Sequence, residues 1–144
     1  MKKLFVLIIC LLSISSASQA QNYDKAIGAR FGFPAGLTYK QFISDNAAVE
    51  IIVGTRDGGG SLTALLELHA EALDYSLNIF YGIGGHIGSL ESSLNVGADG
   101  IFGLEYTPDA PIVFAIDLKP TLYYWRSDLR FSTGGAFSIR YAFQ

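Results

Sequence analysis

The sequence predicts an all-β protein, an antiparallel up-and-down transmembrane β-barrel of about eight strands. Three observations carry that expectation. Apolar and polar residues alternate with a period of two through nearly all of the chain beyond residue 20. No later apolar run reaches the about 20 residues that a membrane-crossing helix needs. The chain also opens on an export signal: Lys2 and Lys3, then apolar Leu4 to Leu12, then the small-x-small pattern Ser18-Gln19-Ala20.

The expected organisation is therefore a cleavable signal peptide at 1–20 and one outer-membrane barrel domain at 21–144. Cys10 lies inside the apolar run and leaves with it, so the mature chain has no cysteine and no disulfide to rely on. Loss of Lys2 and Lys3 moves the formal net charge from −3 to −5. That acidity argues against nucleic acid as a partner.

The alternating segments are 25–33, 37–44, 47–56, 61–72, 77–87, 96–106, 111–124 and 129–143. In the first, Ile27, Ala29, Phe31 and Phe33 oppose Gly28, Arg30 and Gly32. The second and third put Lys40, Glu50, Gly54 and Arg56 on a mixed face. The fourth sets Leu62, Leu66 and Leu68 against Thr63, Glu67, His69 and Glu71. The fifth and sixth carry Gly82, Gly84, His86, Gly97, Asp99, Gly103 and Glu105 on the mixed face. In the seventh, Ile112, Phe114, Ile116, Leu118, Leu122 and Tyr124 oppose Asp117, Lys119 and Thr121. The eighth is the clearest, with Leu129, Phe131, Thr133, Phe137, Ile139, Tyr141 and Phe143 opposite Arg130, Ser132, Gly134, Ala136, Ser138 and Arg140. Strands of this kind have two chemically distinct faces, as a barrel wall requires.

Turn chemistry separates them. Ser44-Asp45-Asn46, Leu73-Asp74-Tyr75 and Thr107-Pro108-Asp109-Ala110-Pro111 read as compact links on one side. On the other side, Asp57-Gly58-Gly59-Gly60 and the stretch 89–95 read as longer or looser. Pro34-Ala35-Gly36 and Arg126-Ser127-Asp128 read as short. With both termini in the periplasm, the looser pair falls outside the cell.

Alternation alone leaves open which face is inside, since a soluble lipocalin-like barrel would turn its apolar face inward. The mixed face is rich in Gly, Ala and Ser, which suit a narrow lumen and weaken a solvated strand. Its charges also nearly balance, as enclosed charges must. The expected lumen network is Arg30, Lys40, Glu50, Glu67, His69, Glu71, His86, Asp99, Glu105, Asp117, Lys119, Arg130 and Arg140. Strand register sets Asp99 about opposite Lys119 and Asp117 within diagonal reach of Arg140. Phe33, Tyr39, Tyr106, Tyr124, Tyr141 and Phe143 lie near strand ends on the apolar face, where interfacial girdles belong.

The segment Gly36-Leu37-Thr38-Tyr39-Lys40-Gln41-Phe42, followed by Asn46-Ala47-Ala48-Val49-Glu50, resembles the second hairpin of small outer-membrane β-barrel proteins of the Bacteroidetes type. Tyr81-Gly82-Ile83-Gly84-Gly85-His86-Ile87-Gly88 is similar to a glycine-rich strand of that group. So are Gly100-Ile101-Phe102-Gly103-Leu104-Glu105-Tyr106 and the closing Ser138-Ile139-Arg140-Tyr141-Ala142-Phe143, with Gln144 as one extra residue. The resemblance implies an outer-membrane barrel and supplies no activity. Its partners would be membrane lipid and, during biogenesis, the barrel assembly machinery.

Sequences that carry chemistry are scarce. No P-loop, dinucleotide fingerprint, Gly-x-Ser-x-Gly elbow or Cys/His metal spacing occurs in the chain. Pairing position 72 with 77 sets His69 opposite Phe80 and His86 opposite Thr63, too far apart to share a metal. His86 near Ser89 lacks the His-x-Ser pattern of outer-membrane lipid A deacylases. No catalytic, cofactor or metal residue is assigned, and the net acidity argues against a positive lumen for anions. The leading expectation is a closed barrel with a structural or surface-interaction role. A narrow pore or small-solute binder comes second, and a lipid-modifying enzyme third.

Overall fold

The computed structural model describes residues 23–143, apart from 57, 75 and the side chains of 71–74. The expected signal segment with Cys10, the Glu71 side chain and Gln144 lie outside the described residues. The chain forms eight antiparallel strands in sequence order: β1 Lys25–Gly32, β2 Ala35–Phe42, β3 Ala47–Arg56, β4 Gly59–Asp74, β5 Leu77–Leu90, β6 Ser93–Tyr106, β7 Ile112–Trp125 and β8 Asp128–Phe143. β1 closes on β8 from Lys25↔Phe143 to Gly32↔Ala136 and completes the barrel. Closure leaves no strand edge unpaired.

Two lumen glycines show why this wall tolerates only small residues at certain inward positions. A Cβ on Gly28 would stand 1.9 Å from the Ile139 carbonyl oxygen, and one on Gly84 would stand 1.9 Å from that of Ala64. There the neighbouring backbone occupies the space of a side chain.

The wall is inverted relative to a water-soluble protein. Ile83 is 73% exposed and Phe131 69%, with Phe31, Leu37, Ile116 and Phe102 exposed around the same outer surface. Inside, Arg30, Lys40, Glu50, Glu67, Glu105, Asp117 and Arg140 are buried. Apolar side chains join them: Ile52, Leu65, Phe80, Ile101 and Ala115 form one cluster, and Tyr23, Ala26, Val113 and Ala142 another.

Several boundaries differ from the sequence expectation. β2 begins two residues earlier and ends two earlier, because Ile43 and Ser44 turn back to donate to the Ala47 carbonyl. The connections at 57–60 and 89–95 are not long. β4 begins at Gly59, with Arg56↔Gly59 paired, and β5 and β6 pair to Leu90↔Ser93, leaving two residues in each turn. All four connections at this end, the hairpin end, are therefore two residues long, whereas those at the end bearing the termini have four, two and five. Continued ladder pairing absorbs the glycines and serines that read as loop.

Candidate functional site

The lumen divides into two polar groups of different construction. At the terminal end, Lys40 of β2 reaches Glu67 of β4 at 2.7 Å and Glu105 of β6 at 3.0 Å. β2 and β6 are four strands apart in an eight-stranded ring, so Lys40 and Glu105 join opposite walls. Arg140 of β8 donates to Glu50 of β3 at 2.5 Å and lies 3.4 Å from Glu105. Thr38 donates to Glu50, and the Tyr23 hydroxyl donates to Glu105 at 2.8 Å. His69 lies 3.2 Å from Glu67 and stacks on Phe80, whose face also receives the Lys40 ammonium at 4.5 Å. Three carboxylates thus face two permanent cations, with every member buried.

Arg30 of β1 forms a bidentate pair with Asp117 of β7 at 2.5 and 2.7 Å and donates to the Pro34 carbonyl at 3.1 Å. Planar two-point matching of guanidinium to carboxylate is the strongest common ion-pair geometry. This corrects the expected Asp117–Arg140 pair. Asp117 stands opposite Ala136 and Arg140 opposite Val113, so the two are four residues of strand apart. Each finds its partner across the lumen instead.

Nearer the hairpin end, Lys119 sits 2.8 Å from Asp99, as strand neighbours rather than directly opposed residues, for Asp99 faces Thr121 in the ladder. Pro120 has no N–H to donate, and the β6–β7 pairing skips Gly100 and Ile101 beside it. Thr121 donates to Asp99 at 2.7 Å. His86 Nδ1 lies 2.9 and 3.0 Å from the Asp99 oxygens, and its Nε2 lies 3.0 Å from Asn95 Oδ1. The imidazole is held from both sides.

Above this group lies a cavity of about 30 Å³ lined by Arg56, Ser61, His86, Ser89, Asn95, Lys119 and Tyr123, among others. That is room for about two waters. Arg56 of β3 donates to Ser132 of β8, with its guanidinium 5.9 Å from the Tyr123 ring of β7. Trp125 closes the rim, donating to the Leu90 carbonyl at 3.1 Å, with Arg126 and Arg130 at 4.6 and 4.5 Å from its ring.

Of the residues expected in the lumen network, Arg30, Lys40, Glu50, Glu67, His69, Asp99, Glu105, Asp117, Lys119 and Arg140 are buried there, and His86 is half-buried at the cavity. Arg130 is a correction. It is exposed at the rim, because β8 extends past the closed part of the wall before Gly134 becomes buried. Sequence reasoning missed Tyr23, Thr38, Tyr123 and Trp125 as interior partners. The inward parity of 121, 123 and 125 on β7 was the available signal.

No protein-family model matches this chain, and no curated protein matches it.

Proposed function

We propose that the chain is an outer-membrane β-barrel protein, exported through its first 20 residues and inserted by the barrel assembly machinery, with a lumen plugged by its own side chains. The observation that carries this reading is the inverted wall. Charged residues fill the interior while Ile27, Phe31, Leu66, Ile83, Phe102, Ile116 and Phe137 are exposed outside. A continuous apolar belt of this kind is costly in water and favourable in a bilayer core. Phe33, Tyr106 and Tyr124 are exposed on the same surface near strand ends, as interfacial anchors would be.

The role is structural or one of surface interaction, with the two-residue turns of the hairpin end facing outward. Lys40–Glu105 contact across the full lumen, with Arg140 and Glu50 packed alongside, argues against a conducting pathway. The reading assigns no catalytic step and no cofactor. Membrane fractionation and gel migration with and without heating test it. The expected result is recovery with the outer membrane and heat-dependent mobility. Recovery as a soluble periplasmic monomer without detergent would overturn it. In planar bilayers the purified protein gives negligible conductance, and stable ion-selective channels would replace the plugged barrel with a narrow pore.

A further inference from the structure

The formal charge of the protein is unevenly placed. Among the described residues, exposed Asp24, Asp45 and Asp109 crowd the terminal end, with Lys25 the cation beside them. The lumen near that end adds Glu50, Glu67 and Glu105 against Lys40 and Arg140. The cavity at the hairpin end is different. Its charged lining groups are Arg56 and Lys119, with Asp99 beneath them bound to Lys119 and His86. The charged side chains lining this cavity are therefore basic in a chain that is acidic overall.

We propose that the hairpin-end cavity is a binding site for a phosphate group, held by Arg56 and Lys119 with Ser61, Ser89 and Asn95 as neutral hydrogen-bonding partners. These groups come from β3, β4, β5, β6 and β7, so they approach the cavity from five successive strands. A tetrahedral oxyanion accepts hydrogen bonds from many directions, and Arg with Lys matches its charge. The cavity admits the leading oxygens and leaves the rest at the open rim. There Arg130, paired in the ladder with the cavity residue Tyr123, presents a further cation over Trp125. Two exposed acids stand at this end, Glu91, 3.5 Å from Arg126, and Asp128, opposite Trp125 in the ladder. The site is inside the barrel, so it stands or falls independently of what covers the outer wall.

The phosphate could be free or the terminal group of a lipid, and the test separates these sources. The protein, purified in neutral detergent after expression of the full chain, is titrated with inorganic phosphate by calorimetry and phosphorus NMR. Saturable binding is expected. Arg56→Gln weakens it by about tenfold or more, as loss of a charged hydrogen-bonding partner does. Lys25→Gln at the terminal end leaves it unchanged. Ser89→Ala, which removes only a hydroxyl, gives a smaller loss and serves if the arginine variant does not fold, with circular dichroism as the check. Micelles doped with phosphatidic acid are then compared with micelles doped with diacylglycerol. Displacement of inorganic phosphate by phosphatidic acid alone assigns the site to a lipid headgroup. No displacement assigns it to the free anion. Absence of saturable binding, or equal weakening by Arg56→Gln and Lys25→Gln, overturns the site.

Discussion

The terminal half of the lumen and the hairpin half are built from the same alternation on the same strands, yet one is sealed and the other holds a cavity. At the terminal end, long side chains meet across the barrel: Lys40 with Glu105, Arg140 with Glu50, and Tyr23 with Glu105. Phe80, Phe42 and His69 fill the gaps between them. At the hairpin end the side chains are shorter, and Ser61 and Thr63 of β4 with Ser89 of β5 line the cavity beside Arg56 and Tyr123. Side-chain volume along two strands, with no change of fold, decides whether buried charge is sealed by protein or reached by water. The energetic weight of an ion pair should differ accordingly between the halves.

The largest effect is expected where no water can enter. Arg140→Met leaves Glu50 and Glu105 short of a cation in a packed interior and should destabilise the protein by about 3–5 kcal/mol, measured by urea unfolding in lipid vesicles. Lys119→Met removes the partner of Asp99 beside the cavity. It should cost less than half as much, because water and His86 can compensate Asp99 there. Equal costs would mean that the cavity does nothing to solvate the hairpin half.

Next comes the contrast between inside and outside. Ile116 is 60% exposed on the outer wall of β7, one residue from buried Asp117. Ile116→Arg places a charge on the apolar belt and should cost about 2–4 kcal/mol in a bilayer. A harmless Ile116→Arg in refolding titrations would break the inverted-wall assignment itself.

A double-mutant cycle then sharpens the comparison between pairs. Asp99→Asn with Lys119→Met should recover part of the loss from either change, with a coupling of about 0.5–3 kcal/mol. The corresponding Arg30→Met with Asp117→Asn cycle should show the larger coupling, because that pair is bidentate and its side chains are fully enclosed. Additive effects in both cycles would show that neither pair acts as a unit.

How far the sequence carried this picture depends on whether a contact follows the ladder or crosses the lumen. Alternation located all eight strands and the inward face. His69 does face Phe80 and Thr63 does face His86, although Leu77 pairs with Asp74 and not with position 72, and an irregularity between Glu71 and Asp74 restores the expected register. The β6–β7 register came out two residues away from the expected one, because Tyr106 pairs with Phe114 beyond the five-residue connection. Arg30–Asp117 and Arg140–Glu50 were out of reach. They join strands two and three positions apart around the ring. Pairings between adjacent strands carry no information about which residues meet across a closed interior. The cavity was hidden for a related reason: net charge is a sum over the chain and says nothing about its segregation between two ends.

The smallest expected effects lie in the hairpin-end turns, where two designs coexist. Glu91 and Ser92 have φ of 48° and 62°, and Arg126 and Ser127 have φ of 50° and 66°. Both pairs take the doubly left-handed form that suits a two-residue hairpin, without the Asn-Gly or Asp-Gly sequence that usually marks it. The β3–β4 turn instead uses Gly58, with φ of 80°. A Cβ added there meets nothing within 4 Å, so Gly58→Ala isolates the backbone cost of a left-handed residue from any steric clash. It should destabilise by about 1 kcal/mol. Ser92→Gly relieves the same strain while giving back some chain entropy on unfolding, for a net gain of about 0.5 kcal/mol. Ser127→Gly should gain similarly, and both leave the Glu91–Arg126 pair in place. Unfolding midpoints measured for the three variants in one detergent should thus move in opposite directions, down for Gly58→Ala and up for the two serine changes. If all three lowered stability, the serines would be holding the turns through their hydroxyls, and backbone strain would not be what distinguishes the two designs.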